Sequence, residues 1–185
     1  MVSSSSVLGL VLISGILIAS LIICGALAED TKPHYEVGSG ADDWWVTYPG
    51  QHSSSGSAVK HPQWVLDSLK EKPVLILDHS KDCRPCKEQI SYVNAVLPAY
   101  DNGLTYYNMM ADEGDPRTND VFSAYNPTGG ADYVPITVLV TLVRGPDGKV
   151  QVGWHSVDDS TSEEWLRSYI SDAIYYYKEN SADWN

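Results

Sequence analysis

The chain has 185 residues, with 12 Lys and Arg against 24 Asp and Glu and a formal charge of -12 at pH 7. So acidic a balance makes nucleic acid and anionic membrane surfaces poor partners. Six Trp and twelve Tyr beside only three Cys describe a chain that can build a core from large side chains without a framework of disulfide staples.

No charged side chain precedes Glu29, and residues 7–28 are apolar or small. At about 1.5 Å rise per residue such a run crosses a hydrocarbon core of about 30 Å, so an uncleaved anchor is one reading. Ala26-Leu27-Ala28 offers a small-residue cleavage site, so a removed signal peptide is the other, although the run is long for one and has no Lys or Arg ahead of it. Lipid modification of Cys24 is disfavoured by the bulky Ile23 before it. The expected organisation is an apolar leader over residues 1–28, a linker and N-terminal extension over 29–62, and one domain over 63–185. That domain is exported, either anchored to the cell membrane with the domain outside or secreted.

Residues 29–62 look loosely organised, broken by Gly38-Ser39-Gly40, Pro49-Gly50 and a serine-rich stretch, with a strand expected over residues 44–48. Pro62 opens a short helix reaching Leu69, where Val65, Leu66 and Leu69 share a side. Residues 74–77 are continuously apolar, the mark of a strand buried on both faces. Asp78 and His79 follow as solvated loop residues.

Ile90, Val93, Leu97 and Tyr100 recur at helical spacing, so a helix is expected over residues 83–100, with Pro98 kinking or fraying its end. Residues 104–109 are a further strand. Asp115-Pro116 reads as a cap followed by proline at the first helical position, and Val121, Phe122 and Tyr125 give that helix its apolar side. Residues 126–133 form a polar, glycine-containing loop that delivers Val134-Pro135 and a strand over 136–143. The Pro146-Asp147-Gly148 turn returns the chain antiparallel over 150–154. A last helix over 158–177 carries Trp165, Leu166, Tyr169, Ile170 and Ile174 inward.

Cys83-Arg84-Pro85-Cys86 stands at the junction of the apolar strand and the following helix. A thiolate attacks and a second thiol one turn on resolves, so the pair is placed for disulfide exchange. At a helix N-terminus the free N–H groups and the helix dipole stabilise the Cys83 thiolate. Lys81 and Arg84 add to that potential while Asp82 opposes it. A purely structural disulfide over so short a loop constrains the unfolded chain little.

The ordered set of strand, cysteine helix, strand, helix, X-Pro strand, hairpin strand and helix resembles the thioredoxin superfamily. The resemblance implies an α/β thioredoxin-like fold with a central mixed sheet flanked by helices. It implies that Cys83 is the exposed nucleophile and Cys86 the buried resolving cysteine. It also implies a cis bond at Val134-Pro135, beside the cysteines, where extended client segments bind. The dithiol is itself the redox group, so no cofactor or metal is expected.

Two positions depart from the family pattern: Asp82 stands where many relatives carry Trp, and Leu77 where many bury an acidic residue. Asp78 and His79 are the nearest substitutes for the missing proton acceptor, and Arg84 and Pro85 modulate the pair.

The resulting expectation is an extracytoplasmic thiol–disulfide oxidoreductase acting on protein disulfides or dithiols. Proline before the second cysteine leans it towards reduction, and an outward-facing reductase implies a membrane-embedded thiol donor as partner. Two other readings stay open. One is a metal-binding or metallochaperone module in which Cys83, Cys86 and His79 hold Cu(I) or Zn(II). The other is a non-catalytic domain that binds clients through residues 126–133.

Overall fold

The computed structural model describes residues 32–100 and 102–184. The leader expected over residues 1–28 lies outside the described residues; among those described, no helix is long and apolar enough to cross a membrane.

Four strands form one mixed sheet: β1 (Val74–His79), β2 (Thr105–Met110), β3 (Ile136–Arg144) and β4 (Val150–Val157), in the spatial order β2-β1-β3-β4. β1 runs parallel to β2 and antiparallel to β3, and β3 pairs antiparallel with β4. The turn that joins β3 to β4 closes as the Pro-Asp-Gly sequence dictates. Gly148 takes the left-handed conformation (φ 78°) and its N–H donates to the Gly145 carbonyl.

Side-chain alternation along the strands explains the unbroken apolar runs, because both faces are covered. Val74 and Ile76 of β1, with Val138, Val140 and Leu142 of β3, meet α1 (Gln63–Leu69) and α3 (Arg117–Tyr125). Leu75 and Leu77, with Leu139 and Val143, meet α2 (Arg84–Val96) and α4 (Glu163–Asn180). The mixed sheet flanked by helices is the α/β architecture that the resemblance implies.

Several element boundaries differ from the sequence-based expectation, each for a physical reason. β1 continues through Asp78 and His79, which are buried rather than solvated, because β2 pairs with it as far as His79–Met110. The helix expected over 83–100 ends as an α-helix at Val96 and tightens into a 3₁₀ turn at Leu97–Tyr100, where Pro98 removes an N–H donor. α4 begins at Glu163 instead of 158, since the Ser162 hydroxyl caps it by accepting the Trp165 N–H at 3.1 Å.

No strand forms over residues 44–48; single bridges stand in its place, Val37 with Trp44, Trp45 with Trp154 and Thr47 with Ala58. The N–H of each of Trp45 and Trp154 donates to the other's carbonyl at 2.9 Å. Trp44 and Trp45 are nevertheless fully buried, one against each side of the sheet. Asp172 of α4 fixes the segment further back, accepting the N–H groups of His34 and Tyr35, both at 2.8 Å.

Candidate functional site

Cys83 and Cys86 form a disulfide with a Cα–Cα separation of 5.2 Å. The helix start explains the placement. Cys83 is the N-cap of α2 with extended backbone (φ -98°, ψ 120°), and Pro85 sits in the first turn, where its missing N–H costs nothing. Cys83 Sγ is therefore the capping acceptor and takes the Cys86 N–H at 3.1 Å. Once the bond is reduced, the same N–H and the helix dipole favour the thiolate at Cys83.

The two sulfurs differ in access: Cys86 is completely buried, Cys83 partly exposed. An incoming disulfide can meet Cys83 alone. Cys83 Sγ lies 3.5 Å from the Val134 carbonyl oxygen, and the Val134–Pro135 peptide is cis. The loop that precedes β3 thus brings Val134 against the reactive sulfur, with Pro135 buried behind it.

Of the nearby charges, Arg84 is 91% exposed and pairs with Glu88 one turn along at 3.4 Å. Its guanidinium is screened by solvent and by that carboxylate, so it contributes little to the sulfur. Lys81 and Asp82 are exposed.

Asp78 and His79 point to opposite faces of the sheet, as consecutive strand residues must. Asp78 faces α3, the side away from the cysteine helix; both of its carboxyl oxygens are buried without a hydrogen-bond partner. Burial holds this carboxyl above its ordinary range. The Thr118 hydroxyl is the chief opposing influence, although the two groups do not reach hydrogen-bonding geometry. His79 faces the cysteine helix; its Nε2 meets Asn108 Oδ1 at 2.9 Å while Nδ1 is buried and unpartnered. Leu77 lies on the His79 side, in the apolar cluster under α2.

Sequence reasoning passed over Gln89. This buried side chain ties three elements together: Nε2 donates to Thr137 Oγ1 of β3 at 2.9 Å, and Oε1 accepts the Thr161 N–H at 2.7 Å and the Thr161 hydroxyl at 3.1 Å. The signal was available, since Gln89 follows Cys86 by three residues on the buried face of the helix, where Val93 and Val96 continue the stripe.

Asn126 is the hub of the loop over residues 126–133. Its amide nitrogen donates to the Gly130 and Ala131 carbonyls and to Asp132 Oδ1, and its oxygen accepts from the Thr128 and Gly129 N–H groups and the Thr128 hydroxyl. The N-terminal segment braces the other side: the Ser53 N–H donates to the Thr128 carbonyl at 2.9 Å. Gly129 has φ 66°, and a Cβ there would lie 2.4 Å from Ser53 Oγ. Among the described residues, no three His, Cys, Asp or Glu side chains converge as a metal site.

No protein-family model and no curated protein matches the sequence. Similar solved structures include a chloroplastic thioredoxin z, at TM-score 0.42 and 9% identity over 62% of this chain and 90% of its own. Mitochondrial thioredoxin 3 of Saccharomyces cerevisiae, in its oxidised form, gives TM-score 0.41 and 16% identity over 60% of this chain and 87% of its own. Thioredoxin-2 of a malaria parasite, a component of that parasite's protein secretion machinery, gives 0.37 and 15% over 54% and 81%.

Proposed function

We propose that this chain is an extracytoplasmic thiol–disulfide oxidoreductase that acts on protein clients, with reduction as its net direction. One observation carries the chemistry: a disulfide at a helix N-terminus with one sulfur accessible and its partner buried, flanked by a cis X-Pro peptide. In the reducing direction the Cys83 thiolate attacks a client disulfide, forming a mixed disulfide and expelling one client thiolate, which takes up a proton. The Cys86 thiol loses its proton and attacks Cys83 Sγ. The second client thiolate leaves and is protonated, and the Cys83–Cys86 disulfide carries the two electrons' worth of oxidation. A thiol donor must then reduce that disulfide. For a domain outside the cytoplasm, a membrane-embedded dithiol protein fits the requirement.

The direction rests on Pro85 before Cys86, and the location on the charge-free run over residues 7–28 followed by Glu29 and Asp30.

Insulin reduction driven by dithiothreitol tests the chemistry. The wild type accelerates it, Cys83→Ser abolishes the acceleration, and Cys86→Ser accumulates a client mixed disulfide at Cys83. A mixed disulfide at Cys86 in the Cys83→Ser variant reverses the roles. Stoichiometric Cu(I) or Zn(II) binding with no insulin reduction replaces the enzyme by a metal carrier. A reduction potential of about -270 mV supports a reductase, and one of about -120 mV an oxidase. Protease added to intact, wall-stripped cells digests the domain if it lies outside, and spares it until lysis if it does not.

A further inference from the structure

Tyr133 is the one large apolar side chain that stands out from the surface among the described residues, at 61% exposure. A single exposed aromatic is ordinary on a protein surface; its position is what separates this one. Tyr133 immediately precedes Val134, whose carbonyl oxygen lies 3.5 Å from Cys83 Sγ. The sheet ladder between β1 and β3 begins only at Ile136. Tyr133 and Val134 therefore form the approach to the reactive sulfur, outside the strand pairing.

The loop that leads to Tyr133 is also held in place. Asn126, only 5% exposed, bonds the loop from Thr128 to Asp132 from within. Ser53 grips Thr128 and Gly129 from the N-terminal segment. A ring presented on a braced loop loses little conformational entropy when a partner covers it, which is what makes aromatic side chains effective contact residues.

Resting on the oxidoreductase reading above, we infer that Tyr133 is a specificity-determining contact for an apolar side chain of the client located two residues from the client's reactive cysteine. In an extended segment, residues i and i+2 share a face and lie about 6.8 Å apart. On the enzyme the Cα atoms of Tyr133 and Val134 are about 3.8 Å apart, and a tyrosine side chain is long enough to cover the rest of that spacing. A client cysteine aligned with Cys83 thus sets its second neighbour over the Tyr133 ring, where an aliphatic or aromatic group loses water and a serine gains nothing.

Two disulfide-closed peptides, identical except for Leu or Ser two residues from one cysteine, provide the test with dithiothreitol as regenerating reductant. The wild type is expected to favour the Leu peptide by about fivefold to tenfold in kcat/KM, the range of one well-placed aromatic contact. Tyr133→Ser brings that ratio near one, whereas Tyr133→Phe keeps it because the ring and not the hydroxyl makes the contact. General damage to the loop lowers both rates without moving their ratio. A wild type with no preference, or a Tyr133→Ser variant whose ratio is unchanged, overturns the assignment and leaves the redox chemistry standing. A wild type that turns over neither peptide overturns the oxidoreductase reading and this inference with it.

Discussion

Replacing Asp78 by Asn should make the protein more stable at neutral pH, although Asp78 sits in the middle of the fold. The carboxyl is fully buried between paired strands, opposite Ile136 and beside Met109, and neither oxygen has a hydrogen-bond partner. Burial raises its pKa, so the folded state holds a proton that the unfolded state releases. Below the unfolded value of about 3.9 both states are protonated, and this group costs nothing extra. Between that pH and the raised folded value, stability falls by about 1.4 kcal/mol per pH unit; above it the loss is constant.

Asparagine has the same shape and no proton to lose. The stability difference between variant and wild type should therefore be near zero at the acid end, grow with pH at that slope, and level off once the raised folded value is passed. Guanidinium unfolding of the oxidised proteins across pH 4 to 8 reads it directly; in a chain this long, about 1 kcal/mol moves Tm by about 2–4 °C. A difference that is flat with pH, or that favours the wild type at neutral pH, would show that the carboxylate is ionised and paired, and would refute the reasoning.

His61 and His155 act in the opposite sense, because burial pushes each down to about 4. Unfolding lets them take up protons, so their contribution is complete above about 6.5 and is lost as pH falls towards 4, by about 3 kcal/mol for His155; His155→Phe should flatten that acid limb of the stability profile. Trp45→Ala should cost about 3–5 kcal/mol in denaturant unfolding, since the ring is buried against Trp154 and His155. Gln89→Ala, which leaves the Thr137 and Thr161 groups without their partner, should cost about 1–3 kcal/mol in the same assay. In the reduced protein, thiolate absorbance at 240 nm should titrate at Cys83 with a midpoint below the free value of about 8.5, and a midpoint at or above it removes the case for an activated thiol.

The order of elements from Val74 onward was legible because each carries a local signature. The apolar run at residues 74–77, the cysteines at a helix start, the Pro-Asp-Gly turn and the X-Pro pair all state their conformations within a few residues. Asp78 and His79 look like loop residues in the sequence because polarity is a local cue, whereas their burial comes from pairing with β2 and β3. The N-terminal segment was opaque for a related reason. Trp44 and Trp45 lie among glycines and serines, and what orders them is a single rung on Trp154 and a carboxylate on α4, contacts that local patterning does not encode. Tyr133 likewise reads as one more tyrosine until the fold leaves it uncovered next to Val134, whose carbonyl meets Cys83.

The bridge between Trp45 and Trp154 also bears on how the chain avoids its own copies. β4 is an outer strand, and an outer strand offers unpaired N–H and C=O groups to any neighbour able to extend the sheet. Here the backbone of Trp154 is already satisfied from within the same chain, and the buried Trp45 ring fastens the covering segment like a latch. A chain shortened past residue 47 would uncover both the rung and an indole-sized hollow beside it. Such a fragment would be expected to pair the bared edge of β4 with a strand of a second molecule, so that shortening the chain would promote edge-to-edge association.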